Sequence, residues 1–352
     1  MDNKKIKELG EYLRKNKIGF ALLFCFDKMQ NNPNYAYFGR FDDSGCLVIY
    51  PNKPPLLLIP EMSKSKAIDK KIRYKVINGS IIDEIKKIAK QTKNIGIDAS
   101  VMNVNFYKHL HNKLKNRFMD ISKKCEELRR IKTDEEIKIL RKAFSISDEI
   151  IKNCISNFKK FKTENDAVIF LKKEVARYGC EMSFPPIVAS GANSANVHHT
   201  PGNSKITRGF CMIDFGIKYD GYCTDTTRMI YMGKPKKEDI ENYQFMLNLQ
   251  DDLVKNAKKG ARCSDLFGYC QKNLGKYKMI HSLGHGVGLE IHESPNLGSK
   301  DKTLLNKNVV VTIEPGIYII GKYGIRIEDT ILITSESNEI LSRIDKKLKI
   351  IK

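Results

Sequence analysis

The segment IDFGIKYDGYCTDTTR (residues 213–228) predicts a β-hairpin that brings two aspartates together. Asp220-Gly221 is a favoured two-residue hairpin turn, and both flanks are strand-like. With that turn, Asp214 lies opposite Thr227, and Asp225 lies opposite a glycine. Because side chains alternate along a strand, Asp214 and Asp225 project from the same side as diagonal neighbours.

Two like charges on one buried face repel each other unless a cation lies between them. This hairpin therefore indicates a metal site, and Thr227 is positioned to steady the Asp214 carboxylate. For the segment taken alone, the alternative is the polar outer face of a surface hairpin.

A second strand pair repeats the pattern. VVVTIEPGIYI (309–319) and YGIRIEDTILI (323–333) are strand-like and join around Gly321. A three-residue loop centred there would set Glu314 opposite Glu328. A glutamate in such an apolar run is costly to bury without a partner. Arg326, on the face of Glu328, is one available partner, and a metal ion is the other.

HSLGHGVGLEIHE (281–293) supplies a nitrogen ligand, His285. Its glycines argue against a helical pair of histidines and allow the backbone to approach a site closely. Four carboxylates and one imidazole suit Mn²⁺, Co²⁺ or Fe²⁺, and Zn²⁺ also fits. Two such ions ~3.5–4 Å apart activate a bridging water and polarise a carbonyl, so the expected chemistry is hydrolysis. His198, His199 and His292 are candidates for proton transfer or for holding an anionic intermediate.

The 352 residues suffice for two domains. Residues 1–125 alternate strands and helices, which is typical of an α/β domain: GFALLFCF (19–26) reads as a buried strand and residues 46–60 as a hairpin. NNPNYAYFGR (31–40) reads as a turn followed by an aromatic segment. A long helix follows, with a capping box at Thr133 and Glu136, and we place the domain boundary before it, at 125/126. IVASGANSANVHHTPGN (187–203) reads as a loop.

The net charge of +21 comes mostly from lysines spread along many helices, since only 13 of the 62 basic residues are arginine. Aromatic residues are not interleaved with them as a stacking platform requires, so nucleic acid is not an expected partner. No apolar stretch approaches the ~20 residues of a membrane span, and no secretory signal pattern opens the chain. The nine cysteines are an odd number without a CxxC pair, as expected for reduced thiols in a cytoplasmic protein.

These segments, together with RRIKTDEEIKILRKA (129–143), resemble the Xaa-Pro peptidases of the pita-bread metallopeptidase superfamily, namely prolidase and aminopeptidase P. The resemblance covers essentially the whole chain. It implies an α+β pita-bread catalytic domain at 126–352, preceded by a smaller α/β creatinase-type domain at 1–125. It also implies two bound divalent ions, a small peptide substrate and a homodimer.

Residue by residue, the resemblance implies that both ions are bridged by Asp225 and Glu328. Asp214 would bind one ion, and His285 with Glu314 the other. It further implies roles for four residues: Glu314 accepts the proton of the bridging water, His198 and His292 contact the substrate or the tetrahedral intermediate, and Arg326 helps to order the substrate-binding site.

The sequence departs from the family pattern at two places. Val197 stands where the family has a proline, and the adjacent His199 leaves open which of the two imidazoles at 198 and 199 takes the family's role. The loop 296–308 lacks an arginine that some dipeptidases use to hold the substrate carboxylate; either Lys300 or Lys302 substitutes, or selectivity for dipeptides is weak.

The leading hypothesis is hydrolysis of the Xaa-Pro bond in dipeptides. Aminopeptidase P action on longer peptides is the alternative within the same class. A methionine aminopeptidase fits less well, because that branch normally lacks the N-terminal domain and the arginine of RIED. A non-catalytic partner- or RNA-binding relative, and metal-free creatine hydrolysis, are disfavoured because all five ligands are retained.

Overall fold

The computed structural model describes residues 3–26, 32–70, 72–90 and 92–352. The chain forms two compact units, residues 1–129 and 130–352. In the described part of the chain, no helix is both long and apolar enough to cross a membrane.

The first unit is a mixed six-stranded sheet in the order β4-β3-β2-β1-β5-β6. Its strands are β1 (Phe20–Cys25), β2 (Gly45–Ile49), β3 (Leu56–Ile59), β4 (Tyr74–Val76), β5 (Asn94–Ile97) and β6 (Arg117–Asp120). Its helices are α1 (Asn3–Lys15), α2 (Pro33–Gly39), α3 (Lys64–Asp69), α4 (Ile81–Ala89), α5 (Val104–Leu114) and α6 (Ser122–Arg130), with a 3₁₀ turn at Glu61–Ser63. β1 is buried along its whole length, since apolar clusters cover both faces of the sheet. The α/β prediction for this part of the chain is confirmed.

The prediction of a turn and an aromatic segment at 31–40 is wrong over most of its length, because α2 lies there. The Asn32 side chain accepts hydrogen bonds from the backbone N–H groups of Asn34 and Tyr35, and Pro33 occupies the first turn, where its missing N–H costs nothing. Asn31 lies outside the described residues.

The second unit contains four helices: α7 (Asp134–Asn157), α8 (Glu164–Arg177), α9 (Lys237–Asn256) and α10 (Cys263–Asn273). The predicted capping box of Thr133 and Glu136 opens α7. Short 3₁₀ turns lie at Phe158–Lys160 and Gly191–Ala195.

The strands of the second unit form four small sheets, ordered β11-β10-β7, β20-β12-β9-β8, β14-β13-β15-β18-β19 and β16-β17. They are β7 (Glu181–Met182), β8 (Ile187–Ser190), β9 (Gly209–Phe215), β10 (Ile217–Tyr219), β11 (Tyr222–Cys223), β12 (Thr226–Met232), β13 (His285–Gly286), β14 (Glu293–Asn296), β15 (Val310–Ile313), β16 (Gly316–Ile319), β17 (Tyr323–Arg326), β18 (Asp329–Ile333), β19 (Asn338–Ile340) and β20 (Lys349–Ile351). This mixture of helices and sheets is the predicted α+β architecture.

The first residues of the segment predicted as a loop at 187–203 form a strand instead. β8 pairs with β9, and Ile187 lies opposite Asp214. The prediction missed this strand because small residues and glycines dominate the rest of the segment. The pairing brings the loop that carries His198 next to the strand that carries Asp214.

Candidate metal centre

The first hairpin has the predicted register. Asp214 lies opposite Thr227, and the turn residues Asp220 and Gly221 both have positive φ, 48° and 84°. That is the backbone of a type I′ turn, which matches the twist of the strands. Gly216 is required beside Asp225, because a Cβ there would lie 1.9 Å from the backbone oxygen of Thr224.

The second hairpin also has the predicted register on both sides of the two glutamates. Ile313 lies opposite Asp329, and Gly316 lies opposite Arg326, which sets Glu314 across from Glu328. Strand pairing is interrupted at the two glutamates themselves, and there the backbone N–H groups form hydrogen bonds with other segments of the chain. The Glu314 N–H donates to Leu283 O at 2.9 Å, and the Glu328 N–H donates to Thr227 O at 3.3 Å. The hairpin is thereby joined to the strand after Asp225 and to the segment before His285.

His285 follows Gly284, and this segment can pack closely against the backbone of Thr312 only because residue 284 has no side chain. A Cβ at Gly284 would lie 2.0 Å from the backbone oxygen of Thr312. The His285 N–H donates to the Thr312 hydroxyl at 3.0 Å, and ring Nδ1 lies 3.1 Å from Gly286 O. Because a carbonyl only accepts, Nδ1 carries a proton, and Nε2 is the ring nitrogen that faces the carboxylates and is available to a metal ion. Nε2 lies 3.5 Å from Asp225 Oδ2 and 3.5 Å from Glu314 Oε1.

All five predicted ligands line one cavity of about 630 Å³. His198, His292 and Arg326 line it as well. Asp225, His285 and Glu328 each offer a ligand atom, and these atoms lie within 4.8 Å of one another. The structure therefore assembles oxygen and nitrogen donors from both hairpins and from the glycine-rich segment.

The carboxylates of this cavity have the properties of cation ligands. Asp214 Oδ1 and Glu328 Oε1 are buried and have no hydrogen-bond partner in the described part of the chain. Burial and the charges of neighbouring carboxylates raise the pKa values of Asp225 and Glu328. Burial also raises the pKa of Asp214, although Arg326 opposes this. Buried carboxylates so close together, with unbonded oxygens, fit divalent cations.

Arg326 makes three hydrogen bonds beside Asp214. It donates to Asp214 Oδ2 at 2.5 Å, to the Thr227 hydroxyl at 3.2 Å and to the Tyr318 hydroxyl at 3.0 Å. The Tyr318 hydroxyl in turn lies 2.9 Å from His281 Nε2. The Thr227 hydroxyl donates to Glu328 Oε2 at 2.7 Å, and a side-chain hydrogen bond from Thr227 also opposes the rise that burial causes in the pKa of Asp214, so Thr227 steadies the Asp214 carboxylate as predicted.

Sequence reasoning missed His281 and Tyr318. A signal existed for Tyr318, because the predicted register makes it a diagonal neighbour of Arg326 on one face of the hairpin. For His281 the signal was only its place in the histidine- and glycine-rich segment, and sequence spacing does not show which cavity a loop faces.

The two adjacent histidines at 198 and 199 have different surroundings. His199 Nε2 lies 2.7 Å from Oε2 of the fully buried Glu164. The other oxygen of Glu164 accepts hydrogen bonds from the Ser190 N–H and the Asn193 amide. His199 therefore anchors its loop, whereas His198 is exposed at the cavity.

His292 packs edge-on against His285, with ring centroids 4.3 Å apart. Its burial and the neighbouring His285 lower the pKa of His292, so the imidazole is mainly neutral near pH 7. A neutral imidazole at the cavity can donate one hydrogen bond and accept another.

A buried ion-pair network centred on Asp329 stabilises the strands next to the metal-site residues. Asp329 accepts hydrogen bonds from Arg228 at 2.8 Å and Gln250 at 3.2 Å, and Lys346 lies 2.8 Å from it. Burial alone would raise the pKa of Asp329, but the two cations hold it below its usual range. Arg228 also donates to the backbone oxygens of Thr227 and Glu328. This network ties the strand after Asp225 to the segment that carries Glu328.

The second unit contains a buried cavity rich in carboxylates, and a creatinase-type unit precedes it in the chain. This combination defines a metal-dependent peptidase of the pita-bread class. The chain belongs to metallopeptidase family M24, whose sequence pattern matches residues 138–335. The Creatinase/Prolidase N-terminal domain pattern matches residues 5–131. Membership of this family implies that the protein binds divalent metal ions.

The chain is similar to known proteins over nearly its full length. It is 32% identical to a Xaa-Pro dipeptidase of Pyrococcus horikoshii, covering 98% of this chain and 99% of that protein. The solved structure of a Xaa-Pro dipeptidase from Bacillus anthracis superposes with a TM-score of 0.91 at 32% identity, covering 99% of each chain. An X-Pro aminopeptidase from Thermotoga maritima superposes with a TM-score of 0.88 at 28% identity, covering 95% and 98%.

Proposed function

We propose that this protein hydrolyses the peptide bond before proline and releases the N-terminal residue from Xaa-Pro dipeptides or short peptides. The observation that carries the proposal is the convergence of four carboxylates and one imidazole on one cavity, with two carboxylate oxygens buried and unbonded within the described residues. The names of the similar proteins, Xaa-Pro dipeptidase and X-Pro aminopeptidase, support the specificity for proline.

In this proposal the protein binds two divalent ions, with Mn²⁺ or Co²⁺ favoured and Fe²⁺ or Zn²⁺ also compatible with the ligands. Asp225 and Glu328 would be shared by the ions, Asp214 would hold one of them, and His285 with Glu314 would hold the other. The unbonded oxygens of Asp214 and Glu328 support this arrangement. When bound, the ions supply Lewis acidity and make water a nucleophile near neutral pH.

The side chains around the ligands then handle protons and position the substrate. Glu314 is half-buried, accepts a hydrogen bond from the Thr312 hydroxyl at 3.3 Å, and is proposed to take the proton of the attacking water. His198 and His292 face the cavity and donate to the oxygen that becomes negatively charged at the scissile carbonyl. Arg326 holds Asp214 in place and contributes to substrate binding.

Both dipeptides and longer peptides are candidate substrates, because the similar structures include a dipeptidase and an aminopeptidase. The cavity of about 630 Å³ is in the range of small-ligand sites and suits a dipeptide.

We further propose that the catalytic domain begins at 126, that the protein is a homodimer and that it is cytoplasmic. The first compact unit ends at Arg129, close to the proposed boundary, which supports a division of the chain into two domains there. All nine cysteines are free thiols, which supports a reducing compartment.

Size-exclusion chromatography with light scattering tests the dimer; a monomer mass of 40.3 kDa would contradict it.

The test of the proposed function begins with protein stripped of metal. We expect Mn²⁺ or Co²⁺ to restore cleavage of Ala-Pro but not of Ala-Ala. Glu314→Gln should lower kcat by about 10²–10⁴-fold, because the general base is lost. Glu336→Gln, at an exposed glutamate, is the matched control and should retain full activity. Metal-loaded protein that cleaves neither Ala-Pro nor longer Xaa-Pro peptides would contradict the proposal.

A further inference from the structure

The cavity of the metal centre is lined by a fifth carboxylate, that of Glu293, besides the four of the predicted ligands. The side chain of Glu293 is 5% exposed, and its Oε2 lies 2.8 Å from Nζ of Lys132, whose side chain is 2% exposed. Because this ammonium group neutralises the carboxylate, Glu293 does not add to the negative charge that attracts the cations. The reaction proposed for the cavity gives neither residue a role, although each charge is costly to bury.

Lys132 projects from a backbone that is hydrogen-bonded on both sides. Its N–H donates to Asn308 O at 2.8 Å, its carbonyl accepts from the Asn308 side-chain amide at 3.0 Å, and the capping box of α7 follows directly. The Asn308 N–H in turn donates to Ile333 O at 2.8 Å. The start of α7 is thereby joined to the segment before β15 and to the end of β18, and the ammonium group is presented from this junction.

Glu293 closes the short segment 288–293, which carries His292. Its Oε1 accepts a hydrogen bond from the Glu290 N–H at 3.2 Å. Gly288 lies so close to the same carboxylate that a Cβ there would be 2.5 Å from Oε2. The Gly288 N–H also donates to Glu290 O at 3.1 Å. One carboxylate therefore holds the two ends of the segment together.

His292 directly precedes Glu293 and is exposed on the side of the cavity. Its ring packs against His285, but a ring contact alone does not fix the direction of an exposed side chain. The backbone and the neighbouring hydrogen bonds must do so. Glu293 begins β14 and lies opposite Gly286, so its position sets the path of the chain at His292.

We propose that the ion pair of Lys132 and Glu293 positions His292, so that the imidazole reaches the oxygen that becomes negatively charged at the scissile carbonyl. The inference rests on the proposed function, which gives His292 that contact. Such a donor is effective at about 2.7–3.1 Å from the oxygen, and a displacement of about 1 Å can cost roughly 10²-fold in rate. Lys132 and Glu293 are positioning residues that act through His292.

The experiment uses Lys132→Met/Glu293→Gln, which removes both charges, nearly keeps the side-chain sizes and leaves no isolated buried charge. In metal-loaded protein we expect kcat for Ala-Pro to fall roughly 10–100-fold with KM within about threefold, because a contact made in the transition state is weakened. The same change in His292→Ala protein should lower kcat by less than about threefold, because the residue that it positions is absent. Lys237→Met/Glu241→Gln, at an exposed pair on α9, is the matched control and should retain full activity.

The outcomes separate positioning of His292 from a general contribution to stability. An unchanged kcat in the double variant would overturn the inference. An equal loss of kcat with and without the His292 imidazole would overturn it too, because the pair would then act through another group. The Tm shift induced by Mn²⁺ should persist in the double variant, because all five ligands are retained; loss of that shift would assign the pair to the metal ligands instead of to His292.

A direct measurement tests the inference apart from the proposed function. In stripped protein that contains ¹³C-labelled histidine, the Cε1–H resonance of His292 is the one that His292→Gln removes. We expect K132M/E293Q to move or broaden this resonance and to leave that of His109, on α5, in place. An unmoved His292 resonance would reject the positioning role whatever the activity. A wild type that cleaves no Xaa-Pro peptide would overturn the proposed function, and a displaced resonance would still support the positioning of His292.

Discussion

The most discriminating prediction concerns Asp225→Asn, which should have opposite effects on the stability of the protein with and without metal. In the metal-free protein the ligand atoms of Asp225 and Glu328 lie within 4.8 Å of each other. Two charges at that separation repel by about 3.5 kcal/mol at an effective dielectric constant of ~20. Protonation of one of the two carboxylates already relieves part of this repulsion. We therefore expect the uncharged amide introduced by Asp225→Asn to stabilise the metal-free protein by about 2 kcal/mol.

The measurement is the unfolding temperature of the stripped protein near pH 7.5, with and without Mn²⁺. A gain of about 2 kcal/mol corresponds to an increase in Tm of roughly 4–8 °C for a unit of this size. Wild-type protein at a Mn²⁺ concentration of about 100 times Kd should gain about 2.7 kcal/mol from binding. Asp225→Asn should lose most of that metal-dependent gain, because a bridging ligand is gone.

Asp252→Asn provides the control, since Asp252 is an exposed acid on α9. It should leave both the metal-free Tm and the metal-induced shift unchanged. The reasoning would be refuted if Asp225→Asn lowered the Tm of the stripped protein, or if it kept the full shift with Mn²⁺.

Three further predictions test other parts of the structure. Tyr318→Phe removes the hydroxyl that accepts from Arg326, so kcat/KM for Ala-Pro should fall about 10–100-fold in steady-state kinetics while the metal-induced Tm shift persists; loss of that shift would contradict a positioning role. The pKa of Asp148 is raised to about 6 by burial, so its folded form keeps a proton that the unfolded chain loses, and stability falls as the pH rises from about 4 to 6. Denaturation by urea should therefore show Asp148→Asn gaining about 1–3 kcal/mol over the wild type across that range, and a constant difference would refute this. Gly284→Ala places a Cβ 2.0 Å from Thr312 O, so it should cost more than about 3 kcal/mol and reduce activity together with Tm; an unchanged Tm would contradict the close packing.

Both hairpin registers could be predicted from the sequence because they depend on local chemistry. A turn with positive φ at two positions favours Asp-Gly, and side-chain alternation then decides which residues share a face. Asp214 with Thr227 and the pairing around Gly321 follow from this without any long-range information. The helix cap at Thr133 is local in the same way.

Two local predictions failed for identifiable reasons. α2 was missed although Asn32 and Pro33 together form a good helix start, because the aromatic residues after them favour strands. β8 was missed because its four residues precede a segment rich in glycine and small residues, which separates it from its pairing partner β9.

The sequence by itself determined the ligand types, the faces on which the carboxylates project and the chemistry that such ligands support. Only the tertiary structure decided how the hairpins meet, because those contacts join residues about a hundred positions apart. The bonds from Arg326 to Asp214 and from Thr227 to Glu328 are of this kind. So is the role of His199 as an anchor on Glu164, since sequence spacing does not encode which distant residues a loop will contact.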